Sequence, residues 1–126
     1  MANLKILVVD DSPTMRRILV NIIQKAGFTD VKEAVDGKDA LANLLAGEYD
    51  LLMTEWNMPN MNGLELVIAV RAEKKLKNIP ILMVTTRNIK EDIVNAIKSG
   101  VTGYIVKPFD AKTLKMKINE IMAKSE

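Results

Sequence analysis

Cysteine and histidine are both absent from the 126 residues. Without cysteine there is no disulfide framework and no thiolate metal site. Without histidine there is no Ser-His-Asp or Cys-His catalysis, no histidine-ligated zinc and no phosphohistidine on this chain. Aromatic residues make up only 4% of the sequence. Neither sign of charge dominates: 18 basic and 16 acidic residues leave a net +2, too balanced to argue for nucleic-acid binding. No apolar run approaches the ~20 residues of a membrane span. The opening residues, Met1-Ala2-Asn3-Leu4-Lys5, lack a signal-peptide layout. A cytoplasmic protein with neither nucleic acid nor membrane among its partners is expected. Gly-rich phosphate loops are missing too: neither GxGxxG nor GxxxxGK followed by Ser or Thr occurs.

What remains is ordinary globular composition, 48% hydrophobic and 27% charged. A chain of this length forms one domain, 1–126, and buries roughly two-thirds of its unfolded surface. The eight methionines read as core filler.

Strand-like and helix-like segments alternate. Lys5–Val9 is a continuous apolar run, as in a buried parallel strand. Ser12 suits a helix cap and Pro13 the first helical position. Met15, Ile18, Leu19, Ile22, Ile23 and Ala26 then share one helical face, closed by Gly27. Residues 31–35 form a second, edge strand. Asp36 caps a helix with Ala40, Leu41, Leu44 and Leu45 facing in, ended by Gly47. Residues 50–55 form a third strand, 56–63 a loop rich in turn residues, and 64–73 a helix whose all-round apolar character predicts heavy burial. Residues 80–85 form a fourth strand. Asn88 with Glu91 resembles a capping box before Ile93, Ala96 and Ile97, and Gly100 ends that helix. Gly103–Val106 is a short fifth strand. Asp110 caps a last helix with Leu114, Ile118, Ile121 and Met122 inward and a lysine-rich outer face.

Five βα units with short connections imply a doubly wound, flavodoxin-like α/β fold. Its five parallel strands run in the order 2-1-3-4-5, with helices on both faces. Ligands of such sheets bind beyond the carboxyl ends of the strands. Those ends carry Asp10, Asp11, Glu55, Thr85 and Lys107. Three carboxylates in one pocket repel unless a cation compensates, and oxygen donors without His or Cys select Mg²⁺, Mn²⁺ or Ca²⁺. Lys107 can reach a phosphoryl oxygen or pair with a carboxylate, and a cis bond to Pro108 would aim it into the pocket. Thr85 can donate to a phosphoryl oxygen. Taken singly, each has a plainer reading: acids near a helix N-terminus, a solvated lysine, a threonine ending a strand. Tyr104 reads either as a half-buried core residue or as a ring that moves when the pocket is occupied. The single Trp56 follows Glu55 directly and should report on the pocket.

At these residues the chain resembles the receiver domain of bacterial two-component response regulators. The resemblance covers essentially all of it and rests on ILVVDDSPTMRRI, WNMPNMNGLEL, ILMVTT and GYIVKPF, in that order and spacing. Trp56-Asn57 and Tyr104 point to the chemotaxis branch. The resemblance implies a signalling protein, not an enzyme. Mg²⁺ is held by Asp10, Asp11 and the Asn57 backbone carbonyl beside the acceptor position, Glu55. Thr85 and Lys107 bind the phosphoryl oxygens. Thr85 and Tyr104 shift together, changing the surface of the fourth helix, fifth strand and fifth helix. The implied partners are a chemotaxis-type histidine kinase, a flagellar motor switch protein and a phosphatase, and the implied state is a monomer.

One departure is large. The acceptor position holds Glu55 where the family has aspartate. The extra methylene adds a bond of about 1.5 Å, and in-line phosphoryl transfer depends on position. Glu55 is therefore expected to be a poor phosphoacceptor. It can instead reach Lys107 or Thr85 and imitate the phosphorylated state, or remain a metal ligand, or simply block activation. A lesser departure is Thr86-Arg87, whose bulk can restrict entry. Three alternatives stay open. A haloacid-dehalogenase-like phosphatase would want DxD after the first strand, where this chain has Asp10-Asp11-Ser12. An FMN module would want a Ser/Thr-rich loop there. A degenerate receiver would act as a binding module alone.

Overall fold

The alternation of side chains along a strand divides the core into two layers. The structure is a computed structural model that describes residues 3–124. In β1 (Lys5–Val9), Leu7 and Val9 enter one layer while Ile6 and Val8 enter the other. In β3 (Leu51–Thr54), Leu52 opposes Leu51 and Met53. In β4 (Ile81–Thr85), Ile81 and Met83 oppose Leu82 and Val84. Both faces are apolar, which is why these strands read as unbroken hydrophobic runs.

With β2 (Asp30–Ala34) and β5 (Gly103–Val106) the sheet is fully parallel, in the order β2-β1-β3-β4-β5. The predicted topology is thus observed. One layer is covered by α2 (Gly37–Ala46), α3 (Gly63–Ala72) and α4 (Lys90–Ser99). The other is covered by α1 (Pro13–Lys25) and α5 (Ala111–Lys124).

The termini of the helices follow from local chemistry. Ser12 accepts from the Met15 amide and Pro13 opens α1. Asp36 accepts from Asp39, and Asp110 from the Thr113 amide at 2.8 Å. Gly100 ends α4 with φ +117°, where a Cβ would be strained.

Some expectations need correction. The capping box lies at Asn62–Glu65 on α3, not at Asn88–Glu91. The α4 N-cap is Ile89, with no side-chain cap, because the helix begins one residue too late for Asn88 to serve. Its first-turn acid Asp92 instead faces Arg87 at 3.5 Å. β2 starts and ends one residue earlier than expected, and β3 is trimmed at both ends. α3 is not buried all round: Leu66, Val67 and Val70 are, but Ile68 is 53% exposed. Ile18, Leu45 and Ile97 also lie outward. A short 3₁₀ turn, Lys74–Leu76, precedes β4, a turn its two lysines gave no reason to expect.

Candidate functional site

The carboxyl ends of β1, β3, β4 and β5 converge. Parallel pairing sets Val9 beside Thr54 and Thr85 beside Val106. The residues that follow, Asp10, Glu55 and Lys107, therefore emerge at one edge. Lys107 Nζ stands 2.8 Å from Glu55 Oε1 and 3.5 Å from Asp10 Oδ2. The Lys107–Pro108 peptide is cis, the isomer that the sequence left open. Asp10, Glu55 and Thr85 are all buried, and Asp11 is exposed at the rim. Two carboxylates, not three, are thus buried together around one ammonium.

Each oxygen has a distinct environment. Glu55 Oε2 accepts from the backbone amides of Trp56 at 2.6 Å and Asn57 at 3.1 Å. Burial pushes the Glu55 carboxyl upward, but the Lys107 ammonium, the nearby Thr85 hydroxyl and the Asn57 amide favour its charged form more strongly and hold it below its ordinary value. Asp10 Oδ1 accepts from the Ser12 amide at 2.9 Å. Burial raises the Asp10 carboxyl above its ordinary value, since the Ser12 amide and Lys107 offset only part of it. Asp10 Oδ2 is buried without a hydrogen-bond donor.

The loop after β3 has its own frame. Gly63 donates to Trp56 O at 2.8 Å. A Cβ on Gly63 would lie 2.2 Å from Glu55 O, so only glycine lets the start of α3 come this close. Asn60 takes φ 68°, a conformation asparagine tolerates.

Two arginines complete the site, and neither was singled out as a functional residue from sequence. Arg16 donates to Asp10 O at 2.7 Å and to Glu33 at 2.9 Å. Its place on the first turn and a half of α1 was the available signal. Arg87, noticed only for its bulk, sits 4.6 Å over the Trp56 ring and donates to Asn57 Oδ1 at 2.9 Å. Its carbonyl accepts from the Tyr104 hydroxyl at 2.9 Å, and its amide donates to Thr85 Oγ1 at 3.3 Å. Tyr104 is half-buried and meets Trp56 edge to face, with ring centroids 6.5 Å apart.

No group of three or more acidic side chains forms a metal cage among the described residues. The donor chemistry nonetheless fits a hard cation. An undonated, buried carboxylate oxygen on Asp10 beside a second acid calls for positive charge, which Lys107 supplies in this arrangement. Chemically, the site is a cradle for a negatively charged group: an ammonium, a hydroxyl and two aimed amides around one carboxylate.

Comparison with known proteins agrees with this geometry. The family model described as "Response regulator receiver domain" matches residues 6–119, and the chain belongs to that family. Within it the chain is CheY-like. It is 51% identical to chemotaxis protein CheY of Pseudomonas aeruginosa over 118 residues, covering 94% of this chain and 95% of the relative. It is 49% identical to chemotaxis protein CheY-3 of Vibrio cholerae over 119 residues, covering 94% and 92%. The crystallised V. cholerae CheY4 superposes with a TM-score of 0.85 at 38% identity, covering 96% of this chain and 98% of that one. Proteins of this kind are signalling proteins of chemotaxis. No helix among the described residues is long and apolar enough to cross a membrane.

Proposed function

We propose that this receiver relays a chemotaxis signal by protein contact and that Glu55 acts as a built-in mimic of the phosphorylated acceptor. The observation that carries the reading is the 2.8 Å contact between Glu55 Oε1 and Lys107 Nζ. The longer side chain delivers a negative oxygen to the ammonium that a phosphoryl oxygen would otherwise meet. The Tyr104 hydroxyl, bound to Arg87 O, supports the same reading, because it holds the ring inward beside an occupied pocket.

In this reading Glu55 stands at the acceptor position, Thr85 and Lys107 serve the phosphoryl oxygens, and Thr85 with Tyr104 forms the switch. Mg²⁺ would be held by Asp10, Asp11 and the Asn57 carbonyl, with Glu55 beside it. When bound, it neutralises the acids and a transferring phosphoryl group. Asp10 is kept in place by the Ser12 amide and, through its carbonyl, by Arg16. Glu55 cannot be charged efficiently, since its carboxylate is already engaged by three donors and is set about 1.5 Å further out than an aspartate. The partners are a chemotaxis-type histidine kinase, a phosphatase and, for output, a flagellar motor switch protein. The acting form is a single domain and a monomer.

Intact mass after incubation with Mg²⁺ and acetyl phosphate tests the chemistry. The chain as it stands is expected to gain nothing and Glu55→Asp to gain one phosphoryl group. Binding to the motor switch protein without phosphodonor tests the mimicry. Binding by the unmodified chain, lost in Glu55→Ala, is expected. No binding by the unmodified chain would make Glu55 a block instead.

A further inference from the structure

The two amides that grip Glu55 Oε2 belong to Trp56 and Asn57. They leave β3 and enter a loop in which Met58 is buried while Asn57, Pro59 and Asn60 are exposed. Beside them lies an open groove of about 390 Å³ lined by Trp56, Asn57, Met58, Pro59, Asn62 and Arg87. On that side the segment meets Arg87, whose guanidinium touches both residues at once. It stacks 4.6 Å over the Trp56 ring while its Nε donates to Asn57 Oδ1 at 2.9 Å.

Arg87 is itself anchored. Nη1 faces Asp92 Oδ2 on the first turn of α4 at 3.5 Å. Its amide and carbonyl are bonded to Thr85 Oγ1 and the Tyr104 hydroxyl. We infer that Arg87 is a positioning residue: it clamps the Trp56–Asn57 segment from outside, so that both amides stay aimed at the carboxylate of Glu55, and it ties that segment to α4.

The chemistry requires arginine. A planar guanidinium can stack on an indole and direct an in-plane N–H at an amide oxygen together; a lysine ammonium can do one or the other. Coupling of this kind is reciprocal. Moving Asn57 must alter α4, and releasing Asp92 must loosen the amides. The inference goes beyond the proposed mimicry and stands or falls on geometry, whether or not the protein signals.

Amide hydrogen exchange and proton shifts on the ¹⁵N-labelled full chain test it. Arg87→Ala is expected to speed exchange of the Trp56 and Asn57 amides by about 10-fold or more, a local opening, while the Leu7 and Leu52 amides keep their protection. Trp56 emission should shift in parallel. Arg87→Lys is expected to restore less than half of the lost protection, and Asp92→Ala to weaken the same two amides in part. Unchanged Trp56 and Asn57 amides in Arg87→Ala would overturn the inference. Full rescue by lysine would also overturn it, since charge alone would then suffice. Equal loss at the core amides, in Arg87→Ala and in the milder Arg87→Gln, would do the same by assigning Arg87 a general structural role.

Discussion

Replacing Lys107 with methionine removes the positive charge from a site that keeps two carboxylates. The ammonium lies 2.8 Å from Glu55 Oε1 and 3.5 Å from Asp10 Oδ2, with all three side chains at most 10% exposed. At an effective dielectric constant of about 20, these contacts are worth about 6 and about 5 kcal/mol of gross attraction. Desolvation of the lysine offsets much of that. Removing one partner of a buried pair costs about 3–5 kcal/mol. A ceiling comes from protonation. At pH 7.5, neutralising one carboxylate with an ordinary value near 4 costs about 5 kcal/mol.

Lys107→Met should therefore lose about 3–5 kcal/mol, which lowers Tm by about 10–20 °C in a chain of this size. Urea unfolding followed by Trp56 emission measures it. Glu55→Gln combined with Lys107→Met supplies the control, because the repulsion between the two carboxylates disappears with one of them. The double variant should be more stable than the sum of the single losses by about 1–3 kcal/mol. A loss below about 1 kcal/mol for Lys107→Met would refute the reasoning, because a buried pair broken on one side cannot be that cheap. Strict additivity in the double variant would refute it equally.

The remaining predictions concern the frame around the site. Asn62→Ala removes the side-chain half of the α3 capping box and should cost about 1 kcal/mol, read as a drop in thermal midpoint by circular dichroism. Gly100→Ala should cost more than about 1 kcal/mol. Its φ is +117° and the new Cβ would lie 2.8 Å from Arg71 Cγ, in a side chain fixed by bonds to Gly100 O at 2.8 and 3.0 Å. Retention of full stability would show that Arg71 can yield. The Thr113 amide holds the Asp110 carboxyl below its ordinary value of 3.8, so its charged form is favoured by folding. That stabilisation is present above pH 3.8 and fades as pH falls through the folded value. The stability gap between the unmodified chain and Asp110→Ala should stay level from pH 7 to 5 and shrink below 3.8; a constant gap to pH 2.5 would exclude the cap. Burial pushes the Tyr104 hydroxyl up from 10.0, with Asp92 adding to it. Stability should thus hold below pH 10 and decline above it, a decline that Tyr104→Phe should reduce.

The sheet was legible because each strand that is buried on both faces must be apolar at every position. Lys5–Val9 and the 80–85 run could be little else. The strand ends were legible for a related reason: polar residues there interrupt the apolar pattern, and Asp10, Glu55, Thr85 and Lys107 do so in register. The helix faces were less readable. In α3, Leu64, Ile68 and Val70 are equally apolar, and only the neighbours decide that Val70 is buried while Ile68 is not. Asn88 and Asn62 offer the same capping chemistry three residues before a glutamate. Where the chain turns into the helix chooses between them. Arg71 shows the limit of local reading: its guanidinium is spent on the carbonyls of Gly100, Leu76 and Lys77. The bond to Gly100 spans 29 residues, and no pattern near Arg71 signals it.

Glu55 itself joins these threads. One carboxylate satisfies two demands at once: Oε1 reaches the ammonium and Oε2 fills the amide pair. The two contacts engage different oxygens of the group, and the 2.8 Å separation from Lys107 shows that the longer side chain reaches the ammonium. An aspartate, about 1.5 Å shorter, is expected to keep the amides or the ammonium but not both, and so to leave room for a phosphoryl group. In the proposed reading, the length that lets Glu55 meet both the ammonium and the amide pair is also what closes the site to phosphoryl transfer. This is why loss of phosphotransfer and imitation of its product are expected together in this chain, and why Glu55→Asp should restore the first while making the second depend on a donor.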